Sequence, residues 1–138
     1  MTAKEYLSQA RYLDLSINNK IRQVAMLHEL ATKCTSTISD MPRNPSPRQS
    51  GMADTIDKII DLEAEINHDI DRLVDLKREM TAIIRSVDDS QCQILLEMRY
   101  ICFRSWEQIA VEMGFNIRHV YRIHRQALKK VRIPSNVQ

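Results

Sequence analysis

Glycine and proline are scarce, 2 and 4 among 138 residues, which excludes a fold built from many tight turns. Cysteine is also sparse: Cys34, Cys92 and Cys102 are odd in number and far apart, so no disulfide framework is expected and a reducing, cytoplasmic setting is. No apolar run of membrane-spanning length and no N-terminal leader pattern occurs, so no membrane partner is expected. A Gly-rich phosphate loop is missing as well, and the acids have no evident pocket, so nothing supports an enzyme or a cofactor. The last absence is local: no acidic residue follows Glu112.

What remains is rich in helix formers, with 43% hydrophobic and 28% charged residues, and predicts an all-α protein. Its length suits one compact domain, or a small domain plus an elongated helical element.

Apolar side chains at Leu7, Ala10, Leu13, Ile17, Ile21, Val24, Leu27, Ala31, Cys34 and Ile38 recur by threes and fours, predicting a long amphipathic helix over residues 2–39. Residues 40–51 hold three of the four prolines and lack that period, which predicts a loop. The period resumes at Met52, Ile56, Ile59, Ile66, Ile70, Leu73, Met80, Ile83 and Val87. Two helices of matched length, each about 54 Å long at 1.5 Å per residue, predict an antiparallel hairpin, a two-stranded coiled coil, over residues 1–87. Pairs such as Val24 with Ile66 and Ile17 with Leu73 follow, as do Cys34 with Ile56 and Ile38 with Met52. Two helices alone bury little, so support is expected from the C-terminal domain or from a homodimer formed through the hairpin.

Residues 88–138 read as a separate helical domain. Asp88 and Asp89 end the second long helix and supply caps for a helix over residues 90–102, with apolar positions Ile94, Leu95, Met98 and Ile101. Ser105 followed by Gln108 has capping-box spacing, so a helix starts at Trp106 with Ile109, Ala110 and Met113 on its core face. Gly114 suits a left-handed stop. Asn116 then caps a last helix running to about Val131. A short helix, a Gly-containing turn and a longer helix make a helix-turn-helix.

That last helix has two faces. At 100° per residue, Arg118, Arg122, Arg125, Lys129 and Arg132 fall within about 80° of one another, opposite Val120, Ile123, Ala127 and Val131. Residues 52–87 hold nine acids against five bases, so that stretch repels a polyanion, whereas the tail, with His119 and His124 added to its bases, attracts one. Ordinary solvated faces mix both signs. The missing acids, the preference for arginine and the place just after an Asn-capped turn together point to double-stranded DNA in the major groove.

These residues resemble region 4 of bacterial sigma-70-type factors over about the last 45 residues. The likeness is carried by Met98, Arg99 and Tyr100, by Ser105, Gln108, Ile109 and Ala110, by Met113 and Gly114, and by a closing run of Ala127, Leu128, Lys129, Lys130, Val131 and Arg132. Nothing resembles the promoter-melting region of a complete sigma factor. The whole layout is similar to small prophage-encoded transcriptional regulators of the ArpU and RinA kind, which implies control of late phage genes with host RNA polymerase as a partner. The resemblance places Ile117, Arg118, Tyr121, Arg122 and Gln126 at base-facing positions. Arg118 and Arg122, one turn apart near the helix start, are the strongest for reading guanine. Arg125, Lys129, Lys130 and Arg132 lie further along and suit phosphate, as do His119 and Arg104.

Zinc is set aside, since the spacings of Cys92, Cys102, His119 and His124 make no paired knuckle. Two other readings stay open. A small terminase-like DNA-packaging protein also joins a helix-turn-helix to a coiled coil and forms rings. Alternatively, an interaction protein grips RNA polymerase through the hairpin and uses its basic helix for general DNA affinity.

Overall fold

A computed structural model describes the backbone of residues 1–40 and 45–134, and the side chains of residues 1–33 and 51–134. The fold is all-α, with no strand among the described residues. Helix α1 spans Ala3–Asp40 and α2 spans Pro45–Arg85. Helix α3, Ser90–Leu96, runs directly into a π-helical stretch at Glu97–Ile101. Two more follow, α4 at Trp106–Met113 and α5 at Ile117–Lys130.

The start of α2 corrects the expected loop over residues 40–51, since the chain is helical from Pro45 onward. Prolines are tolerated in a first helical turn, where the N–H groups they lack have no intrahelical partner. Residues 41–44, and the side chains of Cys34 and Ile38 with their expected pairings, lie outside the described residues.

Two compact units form, one from Met1–Asp14 with Leu73–Gln138 and the other from Leu15–Arg72. Both ends of the long-helix segment therefore fold with the C-terminal residues. A fifty-residue helical domain buries too little apolar surface by itself, and the core of the first unit shows how this is met. Tyr6, Leu7 and Ala10 of α1 and Met80, Ile84 and Val87 join Cys92, Leu95, Leu96, Tyr100, Ile109, Val120, Ile123 and Ala127 in one buried cluster. The Tyr6 hydroxyl donates to Glu79 Oε1 at 2.7 Å. Burial, and then this carboxylate, push the phenol well above its ordinary pKa.

In the second unit, Lys20 Nζ lies 2.6 Å from Asp69 Oδ2 and 3.6 Å from Glu65, while His28 lies 3.9 Å from Glu63. Partner numbers on α2 fall as those on α1 rise, so the two stretches run antiparallel. The buried face of α2 passes through Ile59, Ile66 and Asp69. Ile56 and Ile70 lie to one side of it and are 45% and 40% exposed, as Ile21 of α1 is at 48%, against the expectation that all three are seam residues. A 3.6-residue turn drifts relative to a strict heptad, so a sequence listing by threes and fours gathers residues from neighbouring faces. The seam instead takes in a carboxylate, made tolerable by Lys20.

The α3 face also differs from expectation. Leu95 is buried as expected, but Ile94 is 45% exposed, and Cys92, Leu96 and Tyr100 are buried in its place. Asp89 caps the helix, its carboxylate accepting from the backbone amides of Gln91 and Cys92. The Gln93 amide donates back to the carbonyls of Arg85 and Val87. Together these fix how α3 leaves the end of α2, and thereby which face turns inward.

Candidate nucleic-acid interface

Local chemistry sets α4 and α5. The Ser105 hydroxyl accepts from the Gln108 amide at 3.2 Å, and the Gln108 side chain accepts from the Ser105 amide at 3.0 Å, so two otherwise unpaired donors are satisfied reciprocally. Gly114 ends α4 at φ 72°, a conformation that costs a side-chain-bearing residue free energy. Two residues later the Asn116 side chain accepts from the His119 amide at 2.8 Å and opens α5.

Helix α5 contains no acid. Val120, Ile123 and Ala127 are buried, while Arg118, Arg122, Arg125, Lys129 and Arg132 are all exposed; α5 ends at Lys130 and Val131 is extended, so Val131 and Arg132 lie beyond the helix rather than on its two stripes as expected. Among the described residues none of these five cations has an ion-pair partner. Their mutual repulsion is relieved only by water and salt, which is the electrostatic condition a polyanion improves.

The remaining site residues are less uniform. Gln126 is exposed and Ile117 is half-buried. Tyr121 is 38% exposed and stands edge-on to Trp106, with ring centroids 5.4 Å apart. His119 is half-buried, edge-on to Phe115 at 4.5 Å. Arg104 is bound to the Glu112 carboxylate at 2.7 Å and Lys130 lies 3.5 Å from Asp89. These two therefore differ from the free stripe, since a phosphate would have to compete with an acid already in place. Asp89 is held below the usual carboxylate range, chiefly by the Cys92 backbone amide and also by Lys130.

His124 corrects the expectation that it adds to the basic tail. It is 8% exposed, and its Nε2 lies 2.6 Å from the Tyr100 hydroxyl. Burial, and then the cations Lys4, Arg99 and Arg125, push its pKa down to about 4, and burial pushes Tyr100 up to about 12. His124 is thus neutral at pH 7, with Nε2 free to accept from the phenol. The sequence contained a partial signal: at 100° per residue His124 falls about 40° beyond Val120, at the edge of the apolar stripe of Val120, Ile123 and Ala127 and far from the arginines.

Sequence reasoning gave Arg99 no role. Its guanidinium lies 4.3 Å from the Trp106 ring centroid and donates to the Arg104 carbonyl at 3.0 Å. Trp106 also meets His124 at 4.6 Å, so one indole joins the π-helical segment to two side chains of α5. Cys92 is buried, which raises its thiol pKa, and no cluster of three metal-binding side chains occurs among the described residues.

The fold and site thus define an all-α chain in which a short helix, a glycine turn and a longer acid-free helix present a row of unpaired cations. It belongs to the family described as "Protein of unknown function (DUF1492)", whose model matches residues 46–132, more than half of the chain. No curated protein and no solved structure matches it.

Proposed function

We propose that the protein is a sequence-specific DNA-binding transcriptional regulator in which α4 and α5 act as a helix-turn-helix, α5 entering the major groove. The observation that carries this is the opposed pair of faces on α5, with four exposed, unpaired cations, Arg118, Arg122, Arg125 and Lys129, on one side and buried Val120, Ile123 and Ala127 on the other. A helix whose inner face is fixed by a core presents its outer face as a rigid unit, which reading base edges requires. In this reading Arg118 and Arg122 read bases, with Ile117, Tyr121 and Gln126 beside them, and Arg125, Lys129 and Arg132 hold phosphates. The resemblance to sigma region 4 and to prophage regulators extends the proposal to a phage-encoded factor acting on late genes with host RNA polymerase.

The test begins with selection of bound duplexes from a random pool, followed by affinity measurements on the selected site. Arg122→Ala is expected to cost roughly 1–3 kcal/mol and to relax preference at one base step. Lys129→Ala weakens all duplexes alike and lowers the slope of log K against log salt by about 0.9. Unchanged binding by an Arg118→Ala, Arg122→Ala double variant would refute the assignment of α5.

A further inference from the structure

The unit that contains α5 also contains a cleft of about 460 Å3, lined by Lys4, Ser8, Arg11 and Tyr12 of α1, by Arg99, and by the start of α4. Three of its lining residues are cations and none is an acid, in a chain whose bases and acids otherwise nearly balance at 20 to 18. The volume is that of small-ligand sites.

Aromatic rings seat two of these three cations, Arg11 and Arg99. Phe103, on the cleft wall, has φ 58°, a left-handed conformation disfavoured for a bulky residue and kept only where the surroundings impose it. Its ring lies under two cations, Lys77 at 4.4 Å and Arg11 at 5.3 Å. Arg99 is seated in the same way on Trp106 at 4.3 Å. Arg11 also pairs with half-buried Asp14 at 3.7 Å, a carboxylate with which a phosphate at Arg11 competes. Lys4 and Arg99 line the same cleft. Converging guanidinium and ammonium groups, an added hydroxyl from Ser8 and a largely exposed Tyr12 ring at the rim match a phosphate-bearing ligand.

We propose that this cleft is a phosphate-binding site, with Lys4, Arg11 and Arg99 as its ligating cations. The phosphate belongs either to a free phosphorylated compound or to the backbone of bound DNA. The site itself does not depend on α5 reading bases.

Calorimetric titration of the full chain with inorganic pyrophosphate tests it, alongside the fluorescence of Trp106, the single tryptophan of the chain, which lies under Arg99. Saturable binding is expected, weakened about tenfold or more in a Lys4→Ala, Arg11→Ala variant. Both residues are exposed, so that variant keeps its fold, which circular dichroism verifies. Lys129→Ala retains wild-type affinity for pyrophosphate. Displacement of pyrophosphate by duplex DNA assigns the site to the DNA backbone, and simultaneous binding of both assigns it to a free compound. Absence of heat and of fluorescence change up to about 10 mM pyrophosphate, or equal affinity in the double variant, overturns the proposal. If the wild type ignores DNA, the proposed function fails while the pyrophosphate result still decides the cleft.

Discussion

Mild acid probes the buried pair of Tyr100 and His124 directly. In the folded chain the imidazole is 8% exposed and its pKa is pushed from 6.5 to about 4, by burial first and then by Lys4, Arg99 and Arg125. The unfolded chain takes up its proton at the higher pH. The stabilisation from keeping His124 neutral is therefore fully present above 6.5 and is lost as pH falls from there toward 4. Linkage gives a loss of about 2 kcal/mol by about pH 5 and about 3 kcal/mol by about pH 4. For a chain of this size the loss at about pH 5 lowers Tm by roughly 6–10 °C. Thermal unfolding at about pH 7.5, 6 and 5, followed by circular dichroism and Trp106 fluorescence, measures it. The control is His124→Gln, whose side-chain carbonyl still accepts from the Tyr100 hydroxyl but does not titrate. The shifted carboxylates do not confuse the reading. Asp69, held low chiefly by Lys20, and Asp89, held low chiefly by the Cys92 amide, contribute above their ordinary 3.8 and lose that contribution only below it. Parallel pH profiles for wild type and His124→Gln, or a His124 resonance titrating near its ordinary 6.5, would refute the reasoning.

Two further substitutions test the packing on which the interface rests. Gly114→Ala places a side chain at φ 72°, and an added Cβ meets nothing within 4 Å, so the loss is purely conformational. It should be about 1 kcal/mol by urea denaturation, and a loss several times larger would reveal a steric clash that the geometry does not contain. Lys20→Met leaves Asp69, 6% exposed, without the cation at 2.6 Å and with Arg72 at 3.9 Å. Tm is expected to fall. A rise would mean that the ion pair is tolerated in the α2 seam rather than stabilising it.

Features set by neighbours within four residues were legible in the sequence. The Ser105 and Gln108 box, the Gly114 stop, the Asn116 cap and the Asp89 cap all formed at their expected positions, because each satisfies backbone groups that no tertiary arrangement supplies as cheaply. The two faces of α5 were legible for a related reason: in so short a helix a 3.6-residue period cannot drift far. Over the long α1 and α2 it does drift, and the choice between Ile70 and Asp69 for the buried face depended on Lys20, 49 residues away. The same limit applies to α3, where Leu96 rather than Ile94 turns inward once Asp89 and Gln93 fix the helix against the end of α2.

His124 shows where charge counting fails as a guide to a basic surface. Its position at the edge of the apolar stripe still puts the ring in the core, 8% exposed, and a ring in the core beside Lys4, Arg99 and Arg125 gives up its proton rather than adding a charge to theirs. The positive potential of α5 therefore rests on arginine and lysine alone, groups that stay charged across the physiological range. Acid weakens the unit by protonating His124 beneath that surface, so a loss of DNA binding at low pH is expected to track unfolding of the core and not discharge of the stripe. The contrast with Arg104 and Lys130 follows from the same reasoning. Both are charged, yet each already faces a carboxylate, and a phosphate arriving there exchanges one anion for another instead of relieving an unpaired cation. The four unpaired cations on α5, with Arg132 just beyond its end, are where a phosphate gains most, and the proposed base-reading and phosphate-holding side chains lie along that row.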